Sequence, residues 1–295
     1  MEESQHPRSP VSRRPAARTL AVRTLVGVVL IPLVLAVTYA GGPVYALFVG
    51  ILAALGSYEL LAMAERAGFR PARMVGILGS AVVALSFHSR YEAIPGLVLS
   101  IVTAALLVER LVRSTKERYI IDTSVTFLAL VYPGWLLGYF VWLRNLPADV
   151  ARAIHTGPLE SGVVLVYLVL ILTWSYDSLA YLAGSAVGKH KLFPRISPSK
   201  TVEGMVGGLA GSVGAALVCR STFASFLGFA EAVFLGALLG VAAQIGDVVE
   251  SMLKRSTGAK DSSNLLPGHG GFLDRFDSLL FTGPAFYFYV RIAWC

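Results

Sequence analysis

SGVVLVYLVLILTWSYDSLAYLAGSAVG, residues 161–188, contains one charged side chain, Asp177, in a run longer than the roughly 20 residues a membrane-crossing helix needs. Similar charge-free or nearly charge-free blocks lie at 24–40, 43–63, 74–89, 93–108, 123–143, 204–219, 232–246 and 276–290. A soluble α/β protein of this length would spread its apolar residues periodically, whereas here they are gathered. Apolar residues make up 55% of the chain and charged residues only 15%, against roughly 25% charged in average soluble domains. Mean hydropathy is +0.67. The pattern predicts an all-α, polytopic integral membrane protein with about nine transmembrane helices. Several blocks are about 16 residues, which as helix reach only ~24 Å of a ~30 Å hydrocarbon core. Those blocks need flanking residues, with Lys or Arg snorkelling outward, or cover from longer neighbours.

The formal charge of +7 raises nucleic acid as a partner, but the placement of the charges favours a membrane and no nucleic acid. With nine spans, five Lys or Arg residues fall in the tail, three in 64–73, and four in each of 109–122, 189–203 and 247–275. The opposite side keeps only Arg90, Arg144, Arg152, Arg220 and Arg291. By the positive-inside rule, the N-terminus and the 247–275 loop face the cytoplasm, at the inner membrane of the cell. Residues 1–23, rich in Arg, Pro and Ser, read as a flexible basic tail near anionic headgroups and not as a signal peptide, since the following apolar run of about 17 residues exceeds the usual signal core. The chain then divides into N-terminal membrane helices (24–160), whose last part, 144–160, suits a small outer cap, and a C-terminal catalytic membrane region (161–295). Cys219 and Cys295 supply neither a disulfide framework nor a metal cluster. Gly204, Gly207, Gly208 and Gly211 suit a close helix contact.

The chemistry concentrates in SMLKRSTGAKDSSNLLPGHGGFLDRFD, residues 251–277. Basic side chains suit a polyphosphate and closely spaced carboxylates suit a divalent cation. A helix over 273–278 would put Asp274 and Asp277 on one face. Upstream, Asp177 is expensive in a bilayer unless it meets a cation or a polar cavity. SPSKT, residues 197–201, offers hydroxyls, a helix start and an ammonium to a phosphate, or alternatively forms a solvated topogenic loop. Asp247 closes an apolar block and can join Asp274 around a metal if their helices pack side by side; the plainer reading is a charge at a helix start after Gly246. His269 lacks the partners of a zinc site and reads as a nucleotide contact or a turn residue, because His6, His88, His155 and His190 are scattered. Glu59 reads as a helix-end residue.

The stretch resembles the signature of the CDP-diacylglycerol synthases, or phosphatidate cytidylyltransferases, at Ser251, Leu253, Lys254, Arg255, Lys260, Asp261, Ser263, Leu266, Pro267, His269, Gly270, Gly271, Phe272, Asp274, Arg275, Phe276 and Asp277. The likeness extends to Asp177-Ser-Leu-Ala-Tyr, Gly188-Lys-His-Lys, the segment from Ser197 to Gly208, and Gln244-Ile-Gly-Asp247. It implies condensation of phosphatidic acid with CTP, releasing pyrophosphate, with Mg²⁺ and a possible second, monovalent cation. It also implies metal ligation by Asp247 and Asp274, with Asp277 as a further ligand or supporting group. Lys260 joins these three as a catalytic residue. Asp177, Ser197, Lys200, Lys254, Arg255, Asp261, His269 and Arg275 become substrate-contact residues, and a homodimer is expected. A related CTP-using lipid enzyme is the nearest alternative. A transporter is the alternative from another class, but it predicts repeated halves that the sequence lacks.

Overall fold

The computed structural model describes residues 16–113, 118–146, 159–263, 265 and 270–294, with side chains from residue 27 onward. The chain runs α1 (Ala16–Ala40), α2 (Gly42–Arg66), α3 (Arg73–Ser86), α4 (Ala93–Arg113), α5 (Tyr119–Leu130) and α6 (Leu136–Arg144). It continues through α7 (Ser161–Val187), strands β1 (Lys191–Phe193) and β2 (Ser197–Thr201), α8 (Val202–Thr222), α9 (Phe229–Ser256) and α10 (Leu273–Ala293). Each apolar block of the sequence falls on one of these helices. Six segments are long and apolar enough to cross a membrane by length and composition: α2, α4, the continuous α5–α6 rod, α7, α8 and α9. The expectation of about nine spans therefore narrows to six on this measure among the described residues. The apolar part of α1, 27–40, and α3 are shorter, and the 14 residues of α3 reach only ~21 Å as helix. α1 begins inside the segment expected to be tail, while most of the expected 144–160 cap lies outside the described residues.

α7 is apolar all round, as a buried helix should be. Nearly every residue from Gly162 to Leu172 is buried, and the helix forms the wall on which α6, α8, α9 and α10 pack. The α7–α8 contact is a seam of small residues. A Cβ at Gly208 would lie 2.7 Å from the Tyr176 ring, one at Gly211 would lie 2.5 Å from Leu179, and one at Gly207 would overlap Ala183. These glycines let the two backbones approach, as their spacing in the sequence anticipates. Large apolar side chains such as Ile120, Leu111 and Ile292 stay exposed on the rim, where lipid would cover them.

Between α5 and α6 the helix widens into one π-helical turn, Val131–Trp135, around Pro133. Proline lacks the N–H for the ordinary i→i−4 bond, so the ladder must be disturbed there. At the end of the bundle away from the charged loops, Arg144 donates from Nε to Thr38 O at 2.7 Å and pairs with Glu160 at 2.8 Å, closing the C-terminus of α1.

Replacing Gly208 with Val should cost ~1–3 kcal/mol through overpacking against Tyr176 and lower the thermal midpoint in detergent by several degrees. A Cβ at Gly214 meets nothing within 4 Å, so Gly214→Ala should leave the midpoint unchanged or raise it, by up to about 1 kcal/mol of added stability.

Candidate functional site

The acidic and basic residues singled out in the sequence meet at one end of the bundle. There the C-terminal parts of α2, α7 and α9 come together with the N-termini of α8 and α10. α9 and α10 cross at Gly246, where a Cβ would lie 2.5 Å from Asp277 O. The absence of a side chain lets Asp247, the next residue of α9, sit beside Asp277. Asp247 lies within a continuous α9, not at a helix start. Asp177 joins from α7, its Oδ1 accepting a hydrogen bond from Ser278 Oγ at 3.2 Å. The Asp177, Asp247 and Asp277 carboxylates thus stand within electrostatic reach of one another. Lys200 answers them, with Nζ 2.5 Å from Asp247 Oδ2. Among the described residues no Lys or Arg comes within ion-pair distance of Asp177 or Asp277.

Two turns along α9 from Asp247, Lys254 stands between two carboxylates, 2.5 Å from Glu250 Oε2 and 2.6 Å from Asp274 Oδ1. The other oxygen of Asp274, Oδ2, accepts from the backbone N–H of Ser262 at 3.0 Å, the Ser262 hydroxyl at 2.9 Å and the Gly271 N–H at 2.8 Å. Burial works to raise the pKa of Asp274, but the hydrogen bonds from Lys254 and the Gly271 N–H outweigh it and hold the carboxyl at about 2. The resemblance pairs Asp247 with Asp274 around one ion; the structure sets Asp277 beside Asp247 and gives Asp274 to Lys254 and the loop.

The segment between α7 and α8 forms an antiparallel hairpin, Lys191–Phe193 with Ser197–Thr201. Thr201 caps α8, its Oγ1 accepting from Gly204 N at 3.1 Å, so the helix starts where the hydroxyl-rich sequence suggests. The Glu203 carboxylate takes the backbone N–H groups of Lys189 and His190 and pins the base of the hairpin. Ser197 is buried with its Oγ 3.4 Å from Ser199 Oγ. Arg255 reaches across from α9, donating from Nε to Ile196 O at 3.4 Å and from a terminal nitrogen to Ala259 O at 3.2 Å. It ties the hairpin to the loop, with its side chain still exposed. Lys260, Asp261 and Arg275 are exposed around the same rim. His269 lies outside the described residues.

Reading the sequence missed three participants. Glu59 of α2 is fully buried and accepts hydrogen bonds from Ser262, Ser263, Phe272 and Leu273. Glu250 is fully buried beneath Lys254, and the Tyr132 hydroxyl of the π-turn is buried without a hydrogen-bond partner. Glu59 has no charged neighbour within five residues in the sequence, so no local pattern marks it. Glu250 was visible as the i−4 neighbour of Lys254.

Such a site, at the end of an apolar bundle and combining carboxylates with ammonium groups, belongs to a multi-pass membrane enzyme that handles anionic groups. The cytidylyltransferase family model matches residues 21–293, and the chain belongs to that family. It is 32% identical over 251 residues to a phosphatidate cytidylyltransferase of Bacillus subtilis, covering 83% of this chain and 89% of that one. A phosphatidate cytidylyltransferase of Synechocystis is 32% identical over 285 residues, covering 89% and 94%. One from Staphylococcus aureus is 32% identical over 264 residues, covering 87% and 92%.

Removing the ammonium from this centre should leave buried carboxylates unpaired. Lys254→Met is expected to destabilise the folded protein by ~3–5 kcal/mol. Adding Glu250→Gln should recover part of that stability without restoring turnover, and thermal unfolding of the single and double variants checks it.

Proposed function

We infer that the chain is a phosphatidate cytidylyltransferase, making CDP-diacylglycerol and pyrophosphate from phosphatidic acid and CTP in phospholipid biosynthesis. Supporting this reading are the family membership, the full-length similarity to proteins of that name, and the meeting of Lys200, Asp247, Lys254, Asp274 and Asp277 at one end of the bundle. The observation that carries it is the Lys254 bridge, which joins the two halves of the signature on two different helices.

An oxygen of the lipid phosphomonoester attacks the α-phosphorus of CTP, one P–O bond forms, and the bond to the departing pyrophosphate breaks. The nucleophile is already an anion, so the protein's task is to neutralise and align two polyanions. Exposed Lys260 and Arg275 at the rim suit the outer phosphates, and Lys200 suits an oxygen near Asp247. Asp261 and Ser197 complete the nucleotide side. Asp177, the cluster's carboxylate on α7, suits a contact with the lipid headgroup.

The donor set fits a divalent cation. Asp177, Asp247 and Asp277 lie within electrostatic reach of one another, only Asp247 is paired with an ammonium among the described residues, and the buried oxygens of Glu250 make no hydrogen bond beyond contact with Lys254. Among the described residues no three acidic, His or Cys side chains are grouped to ligate an ion by themselves. That suits Mg²⁺, which binds through one or two carboxylates and completes its shell with phosphate oxygens and water. Asp247 and Asp277 would hold it, with Asp274 holding Lys254 and the loop in place. When bound, the ion supplies charge neutralisation at the reacting phosphates. The distribution of Lys and Arg supports placing this face in the cytoplasm, at the inner membrane, where CTP is available. A homodimer and a second, monovalent ion follow from the family resemblance.

The full chain in detergent, given phosphatidic acid, CTP and Mg²⁺, should release pyrophosphate and CDP-diacylglycerol in equal amounts. Release only with a polyprenyl or ether-lipid phosphate would reassign the lipid. Asp247→Asn should lower kcat by about 10²-fold or more while the thermal midpoint stays at the wild-type value.

A further inference from the structure

We propose that Glu59 of α2 is a positioning residue for the reaction: its carboxylate fixes Ser262, Ser263 and the Phe272–Leu273 start of α10 so that Asp274 reaches Lys254. The proposal rests on the cytidylyltransferase reading of the site and adds a residue that lies over 190 positions upstream of the signature.

Glu59 is 0% exposed, and four donors converge on its two oxygens. Oε1 accepts from Ser263 Oγ at 2.5 Å and from the Phe272 N–H at 2.9 Å. Oε2 accepts from Ser262 Oγ at 2.9 Å and from the Leu273 N–H at 2.8 Å. A carboxylate offers about four lone-pair sites, so the group is filled by its loop. The two N–H donors belong to the start of α10, where the first N–H groups of a helix lack intrahelical partners. The residue at the N-cap position, Phe272, provides no side-chain cap. Glu59 therefore caps α10 from another helix, at the end where a negative charge is favoured.

The same contacts lead to the reactive end. Ser262 Oγ is shared between Glu59 Oε2 and Asp274 Oδ2, and Ser262 N–H also donates to Asp274. Asp274 holds Lys254 on its other oxygen. Gly271 leaves the room this requires: a Cβ there would overlap Ser262 Oγ and lie 2.5 Å from Glu59 Oε2. A carboxylate serving only to anchor α2 would not need to share a serine with the residue that orients Lys254.

Glu59→Gln keeps the size but turns an amide N–H₂ toward N–H and O–H donors. In the full-length protein it should lower kcat by roughly 10- to 100-fold, the scale of a small misplacement, with KM for CTP and phosphatidic acid within about 3-fold of wild type. Amide exchange should quicken at Phe272 and Leu273 and stay unchanged in α7 and α9. Glu59→Asp, which keeps the acceptors on a shorter stem, should recover part of kcat. Wild-type kcat in Glu59→Gln would overturn the proposal. So would lost activity accompanied by faster exchange throughout the bundle, which marks a general structural support. If Glu59→Gln does not accumulate, Ser262→Ala decides, since it removes the shared hydroxyl: a several-fold loss of kcat in a folded protein supports the proposal and an unchanged kcat ends it. Should the wild type fail to turn over phosphatidic acid and CTP, the functional reading falls, while exchange at Phe272 and Leu273 still reports on Glu59.

Discussion

One ammonium between two carboxylates governs the arrangement of this site. Lys254 touches Glu250 on its own helix and Asp274 on α10, and all three are largely removed from solvent. In so apolar a surrounding any of the three left alone would carry a heavy desolvation cost. The bridge makes the side-by-side packing of α9 and α10 a condition for burying them together. Once the helices meet there, Asp247 and Asp277 follow, because Gly246 lies against the backbone of Asp277 one layer deeper. The carboxylates nearest the proposed reacting phosphates are therefore placed by a charge pair that need not itself take part in the chemistry.

How much of this was legible beforehand depended on whether the cause was local. Helices could be read from charge-free blocks because a bilayer forbids unsatisfied backbone, and each block became a helix. The glycine seam of α8 could be read from spacing alone, since small residues every three or four positions have few other uses in a membrane helix. The signature could be read from its density of charge. Partner choice could not. The spacing rule puts Asp274 and Asp277 on one helical face, yet they divide their roles, Asp274 going to Lys254 and Asp277 to the neighbourhood of Asp247. That division is decided by the crossing point of two helices, which depends on Gly246 and not on the carboxylates.

Glu59 shows the same limit from the other side. An isolated Glu in an apolar helix carries no pattern, and near a helix end it reads as a surface charge. What makes it a buried acceptor is the set of donors, Ser262, Ser263, Phe272 and Leu273, that reach it from more than 200 positions away. No periodicity encodes that contact. The only trace in the sequence is indirect: the Ser-Ser and Gly-Gly pairs of the signature supply hydroxyls and clearance beside it.

The two glycines at the heart of the site solve opposite problems. At Gly246 a side chain would push two helices apart and carry Asp277 away from Asp247. At Gly271 a side chain would strike Ser262 and Glu59 and lift the loop from its anchor. Gly270, with φ of 78°, adds a backbone conformation that other residues rarely adopt, next to the residue whose N–H reaches Asp274. The acids and bases of the motif fix which charges are available, but the glycines fix the distances between them. Distance decides whether a group of carboxylates is a repulsive cluster or a place for a cation and two phosphates. A membrane enzyme that must hold such charges in an apolar bundle therefore depends as much on where side chains are missing as on where they are charged.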